Sequence, residues 1–184
     1  GLCVEPDPIS FRKLSANRTC TAVASAVAPE TAPCELMAAG TASELLWETD
    51  TVSAKAHVAA VECTTAHDLL QDYQVPSVID FVSLDVEGSE VYFLESFPYD
   101  SHEMSVLCVE HNAYFRGTAQ QERMHALLTE RGYERVVLDN SNWDILPNGE
   151  RNPEQGPGLG GPLEDWYMSG RFLREVWARY PELC

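Results

Sequence analysis

Positive charge is what this 184-residue chain lacks most: Lys and Arg total 12 against 29 Asp and Glu, a formal net charge of −17. A field of that sign repels phosphate backbones and anionic lipid headgroups alike. Neither nucleic acid nor a membrane surface is therefore an expected partner, whereas a cationic ligand is tolerated. No apolar run reaches the ~20 residues that a membrane helix needs, and residues 1–20 carry no signal-peptide pattern. No two cysteines form C-x-x-C: Cys3, Cys20, Cys34, Cys63, Cys108 and Cys184 are scattered, which argues against zinc, and no metal site is expected. A chain of this length needs no staples, so buried free thiols are expected rather than disulfides, even beside the sequon Asn17-Arg18-Thr19. The default compartment is the cytoplasm, with the secretory pathway as the alternative.

What is present is enough apolar material, 45%, for one domain spanning residues 1–184 with a sizeable core. Leu2-Cys3-Val4-Glu5 reads as a short buried strand ended by an acid. Asp7 then offers an N-cap with Pro8 at the first helical position. Residues 21–27 read as a second strand, and shorter extended pieces follow at 35–37 and 58–63. Thr65 with Asp68 resembles a capping box for a short helix through Leu69 and Leu70. The clearest strand is 78–85, followed at once by a helix with Val91, Leu94 and Phe97 on one face. Residues 105–110 form another apolar run ended by an acid. Thr118 with Gln121 opens a helix that buries Met124, Leu127 and Leu128 and stops at Gly132. Residues 135–138 and 165–168 read as strands, the Pro- and Gly-rich stretch 147–162 as a surface loop, and 172–180 as a last helix. Apolar strands alternating with amphipathic helices indicate an α/β fold with a mostly parallel sheet.

In open α/β sheets, ligands sit beyond the carboxyl ends of the strands. Three apolar strands end in a carboxylate here: Glu5, Asp85 and Glu110. Carboxylates gathered on one rim repel one another unless positive charge joins them. The sharpest stretch is Asp80-Phe81-Val82-Ser83-Leu84-Asp85-Val86-Glu87-Gly88-Ser89-Glu90, a strand-to-helix turn in which Gly88 permits a tight bend. It closely resembles the signature of FkbM-type methyltransferases, which are class I S-adenosylmethionine-dependent enzymes. Val4-Glu5-Pro6-Asp7-Pro8, Ala24-Ser25-Ala26-Val27, Val109-Glu110-His111-Asn112 and Asp165-Trp166-Tyr167 resemble other strands of that family in the same order.

The resemblance implies a Rossmann-like class I methyltransferase sheet, mostly parallel, with 79–85 inside it and a C-terminal antiparallel hairpin from 135–139 and 165–168. A glycine turn should precede the ribose-binding acid by ~20 residues. Only four residues precede Glu5, so the first strand and its glycine loop are expected to be missing from this sequence. As given, the chain is expected to bind S-adenosylmethionine poorly. Gly156-Pro157-Gly158-Leu159-Gly160-Gly161 follows no strand and is no substitute. By the same resemblance, Glu5 binds the cofactor ribose, Ala26 and Val27 border the adenine, and Asp85 with Val86 lies at the methionine end. Asp85, Glu110 and His111 are the candidates for a general base acting on a hydroxyl of a small molecule or glycan. Two other classes compete. A catalytically inactive module would serve only as an interaction domain. A magnesium-dependent phosphohydrolase has a similar strand-end pair, but it wants a second Asp where Glu87 stands, plus a lysine, and Lys13 and Lys55 follow no late strand.

Overall fold

Asp7 shows how local sequence starts the first helix. Its carboxylate accepts hydrogen bonds from the amides of Ile9 (3.0 Å) and Ser10 (2.8 Å), and Pro8 stands at the first turn, where no N–H is needed. The computed structural model describes residues 1–37, 43–46, 57–111, 113, 117–140 and 164–183. The expected loop at 147–162 lies outside the described residues, as does Cys184. The elements run β1 (Leu2–Val4), α1 (Pro8–Asn17), β2 (Thr21–Val23), β3 (Ala26–Val27), β4 (Ala32–Met37), β5 (Glu44–Leu45), β6 (Val58–Thr64), α2 (Ala66–Asp72), β7 (Val78–Leu84), α3 (Glu90–Ser96), β8 (Glu103–Glu110), α4 (Ala119–Glu130), β9 (Tyr133–Asn140), β10 (Glu164–Ser169) and α5 (Gly170–Arg179). The fold is mixed α/β.

The chain divides into two compact units: Gly1–Gln74 with Val86–Phe97, and Val75–Asp85 with Pro98–Cys184. In the first unit, β1 pairs parallel with β2, and a separate sheet has the order β3-β6-β4-β5. The expected strand at 21–27 is thus two short strands in different sheets, broken at Ala24-Ser25. Ser25 explains the break: its side chain is buried and its hydroxyl donates to the carbonyl of Glu62 (3.0 Å), tying this turn to β6. Thr65 caps α2 by accepting from the amide of Asp68 (3.0 Å). The return half of the capping box is supplied by Thr31, whose hydroxyl accepts from the Thr65 amide (3.2 Å). α2 and α3 bury Leu69, Leu70, Val91, Phe93 and Leu94.

The cysteine expectation is overturned in this unit. Cys3 is bonded to Cys20 and Cys34 to Cys63, with Cα separations of 6.0 and 5.9 Å, within the span a disulfide bridges. Both links clip paired or neighbouring strands, and Cys63 sits in the small core of Ala26, Ala28, Leu36 and Leu45. The two bonds join cysteines 17 and 29 residues apart in sequence, and closing such loops constrains the unfolded chain. Cys108, in the second unit, is a buried free thiol, as expected.

The second unit holds one four-stranded sheet, order β7-β8-β10-β9. β7 and β8 are parallel, and β10 runs antiparallel between β8 and β9, so the predicted C-terminal hairpin is present. The placement of 79–85 inside the sheet is not met. β7 is an edge strand of the sheet, paired on one side with β8 among the described residues, and Phe81 is consequently 51% exposed. In this unit Met104, Leu107 and Val109 of β8, Met124 and Leu128 of α4 and Tyr167 of β10 are all buried. Thr118 does not cap α4 through its side chain, and Gln121 turns inward instead. Gly132 takes φ +83°, which a glycine adopts freely, and ends that helix as expected.

Candidate functional site

The turn after β7 is held by one buried acid. Glu90 is 1% exposed, and its carboxylate accepts from the amides of Val86 (3.0 Å) and Gly88 (3.1 Å to each oxygen). Buried charge of this kind persists only when its oxygens are satisfied. The bend is tight because Gly88 takes φ +103° and Glu87, against the preference of a side-chain-bearing residue, takes φ +52°. The sequence shows the glycine at once, whereas the role of Glu90 emerges from the fold. A carboxylate two residues after the glycine was the available signal. Glu90 builds the turn that follows Asp85 in the chain.

Asp85 is exposed, and its carboxylate lies within 4.8 Å of that of Glu110, the last residue of β8. The parallel register, Leu84 opposite Val109, brings the two strand ends level. Two carboxylates this close favour a cation between or beside them.

His111 follows Glu110 but is committed elsewhere. It is 2% exposed; its Nδ1 accepts from the amide of Ala113 (3.1 Å), and its Nε2 is 3.5 Å from Asp165 Oδ1. Asp165, itself 1% exposed, also accepts from Arg135 (3.1 Å) and from the side-chain Nε2 of Gln121 (3.1 and 3.3 Å). Burial works against the charge of Arg135, yet the bond to Asp165 holds its pKa above the ordinary arginine value. With both ring nitrogens held, His111 is a positioning residue that pins the end of β8 to β10. Sequence reasoning missed Asp165, Gln121 and Arg135. The signal was an acid at an inward position of the alternating strand Glu164-Asp165-Trp166-Tyr167. Cys108 is no nucleophile: burial raises its thiol pKa, and its Sγ donates to Glu164 (2.9 Å).

In the first unit, Glu5 follows β1 and its carboxylate accepts from the amide of Asp7 (2.8 Å). The bonds from Ser10, above all its backbone amide, hold the Asp7 pKa below the usual carboxylate range. Ala26 and Val27, each 4% exposed, form β3, and Val86 is partly buried at the head of the signature turn. The structure therefore brings Asp85 and Glu110 together, sets His111 in the network behind them, and places Glu5, Ala26, Val27 and Val86 in the other unit.

A family profile described as "Methyltransferase FkbM domain" matches residues 1–135 of the chain. No curated protein and no solved structure gives a significant match. The matched segment carries β1, the signature turn, Asp85, Glu110 and His111.

Proposed function

Because the chain belongs to the FkbM methyltransferase family, we propose that it uses S-adenosylmethionine to methylate a hydroxyl group of a small molecule or sugar. The observation that carries this reading is the pair of carboxylates, Asp85 and Glu110, level at the carboxyl ends of two parallel strands within the matched segment. The chain is read as one domain, because the signature itself crosses from one compact unit into the other.

S-adenosylmethionine supplies a methyl group made electrophilic by its sulfonium. Its ammonium and sulfonium are the positive charge that paired carboxylates favour, so the residues fit the group. In this reading Glu5 accepts hydrogen bonds from the ribose hydroxyls, Ala26 and Val27 border the adenine, and Asp85 with Val86 lies at the methionine end. Methyl transfer is an in-line displacement, so aligning the acceptor oxygen supplies much of the rate. Asp85 or Glu110 takes the hydroxyl proton as the oxygen attacks. His111 keeps the end of β8 in place rather than moving a proton.

Full-length protein incubated with methyl-labelled S-adenosylmethionine and a panel of sugars and small alcohols should yield S-adenosylhomocysteine and a methylated product by mass spectrometry. An inactive interaction module gives neither, and a phosphohydrolase gives magnesium-dependent phosphate release instead. Either result would sink the proposal.

A further inference from the structure

A second charged site lies at the opposite end of β8. A cavity of about 320 Å³, at the small end of ligand-pocket sizes, is bounded within the second unit by Glu103, Tyr99, Tyr133, Arg131, Arg171 and Arg174 among others. Glu103 is the first residue of β8 and Glu110 the last, so seven strand steps, roughly 23 Å, separate this cavity from the acid rim. Three of the chain's 12 basic residues line this one cavity, in a protein of net charge −17. Like charges gathered in this way are held together at a cost.

The local charge is not self-neutralised. Arg171 Nε donates to both oxygens of Glu103 (3.0 and 2.9 Å), and its Nη1 pairs with Glu175. Arg131 lies over the ring of Tyr99, 5.2 Å from its centroid, which holds the guanidinium in place without neutralising it. Arg174 contributes only a longer-range attraction to Glu103. Among the described residues, neither Arg131 nor Arg174 forms an ion pair. Gly170 and Arg171, both at this wall, open the ten-residue helix α5, whose positive dipole end adds to the same sign.

We propose that this cavity is a binding site for a phosphate group, free or carried on a small molecule, gripped by Arg131 and Arg174 and organised by the Arg171–Glu103 pair. Arginine's planar fork matches phosphate oxygens, and stacking on Tyr99 leaves the outward edge of Arg131 available for them. The site is separate from the rim assigned to the cofactor and does not depend on that assignment.

The test is calorimetric titration of inorganic phosphate and, separately, glycerol phosphate into the protein at low ionic strength. Saturable one-to-one binding is expected. Arg131→Gln and Arg174→Gln should each weaken it at least about tenfold, the loss typical of one charge-assisted hydrogen bond. Arg123→Gln, which removes an equal charge outside the cavity, should bind like the parent. Preference for glycerol phosphate assigns the site to a phosphorylated small molecule, and equal binding assigns it to the free ion. Should a variant fail to fold, backbone amide shifts of Gly132 and Gly170 on adding phosphate to the parent decide the matter. No saturable binding and no shift at those glycines would overturn the proposal, as would equal losses in all three variants.

Discussion

The two ends of β8 carry opposite chemistry on one strand. At the carboxyl end, Glu110 meets Asp85 within 4.8 Å, while Arg135 is paired with Asp165. At the amino end, Glu103 is held by Arg171 and Ser169 and is outnumbered by the arginines around it. Between them Met104, Leu107 and Val109 are buried to 1% exposure or less and keep the two ends apart. The contrast separates two uses of a carboxylate. Glu103 is neutralised by its own protein and serves structure. Asp85 and Glu110 are the pair that the proposed function assigns to a ligand of opposite sign.

Breaking the carboxyl end should have the largest effect. Asp85→Asn preserves size and removes charge, so methyl transfer should fall about a hundredfold or more while the melting temperature stays put. Comparison of turnover and thermal unfolding for the same preparation checks this, and a parallel loss of stability would reassign Asp85 to structure. Next comes Glu90→Gln. The amide offers one acceptor oxygen where the buried carboxylate offers two to the Val86 and Gly88 amides, so urea unfolding should lose about 1–3 kcal/mol.

The smallest effect sharpens the amino end. Burial tends to raise the Glu103 pKa, but the bonds from Arg171 and Ser169 prevail and hold it below its ordinary 4.5. A carboxylate depressed on folding adds stability that is present above its unfolded pKa. That stability is lost as pH falls through the folded value. Glu103→Gln should therefore cost about 1 kcal/mol near neutrality. It should also flatten part of the stability decline below pH 4.5, read from denaturant midpoints across an acid series.

Local rules carried the reading of the fold a long way. The Asp7 and Thr65 caps, the strand-turn-helix at Asp85 to Glu90 and the apolar run before Glu110 all follow from neighbours in sequence, whereas the final hairpin follows from the family resemblance. The disulfides did not follow, because pairing Cys34 with Cys63 depends on β4 lying beside β6, a tertiary fact. The strand ending at Val27 was drawn too long because a buried serine binding Glu62 from afar looks, in sequence, like a small strand residue. The site was half legible. Acids at strand ends announce themselves, whereas the Asp165–Gln121–Arg135 network behind His111 joins three elements and leaves no spacing to find. The arginine cavity was half hidden for the same reason: Arg171 and Arg174 stand one helical turn apart in α5, but Arg131 joins them from the end of α4, a tertiary fact.

The central claim, that the acid rim receives S-adenosylmethionine, is tested most directly by titrating that compound into the full-length parent and its Asp85→Asn variant, without magnesium. Saturable one-to-one binding by the parent is predicted, weakened at least about tenfold in the variant at unchanged melting temperature, as loss of a charge-assisted contact requires. Equal binding by both proteins, or none by the parent, would contradict it.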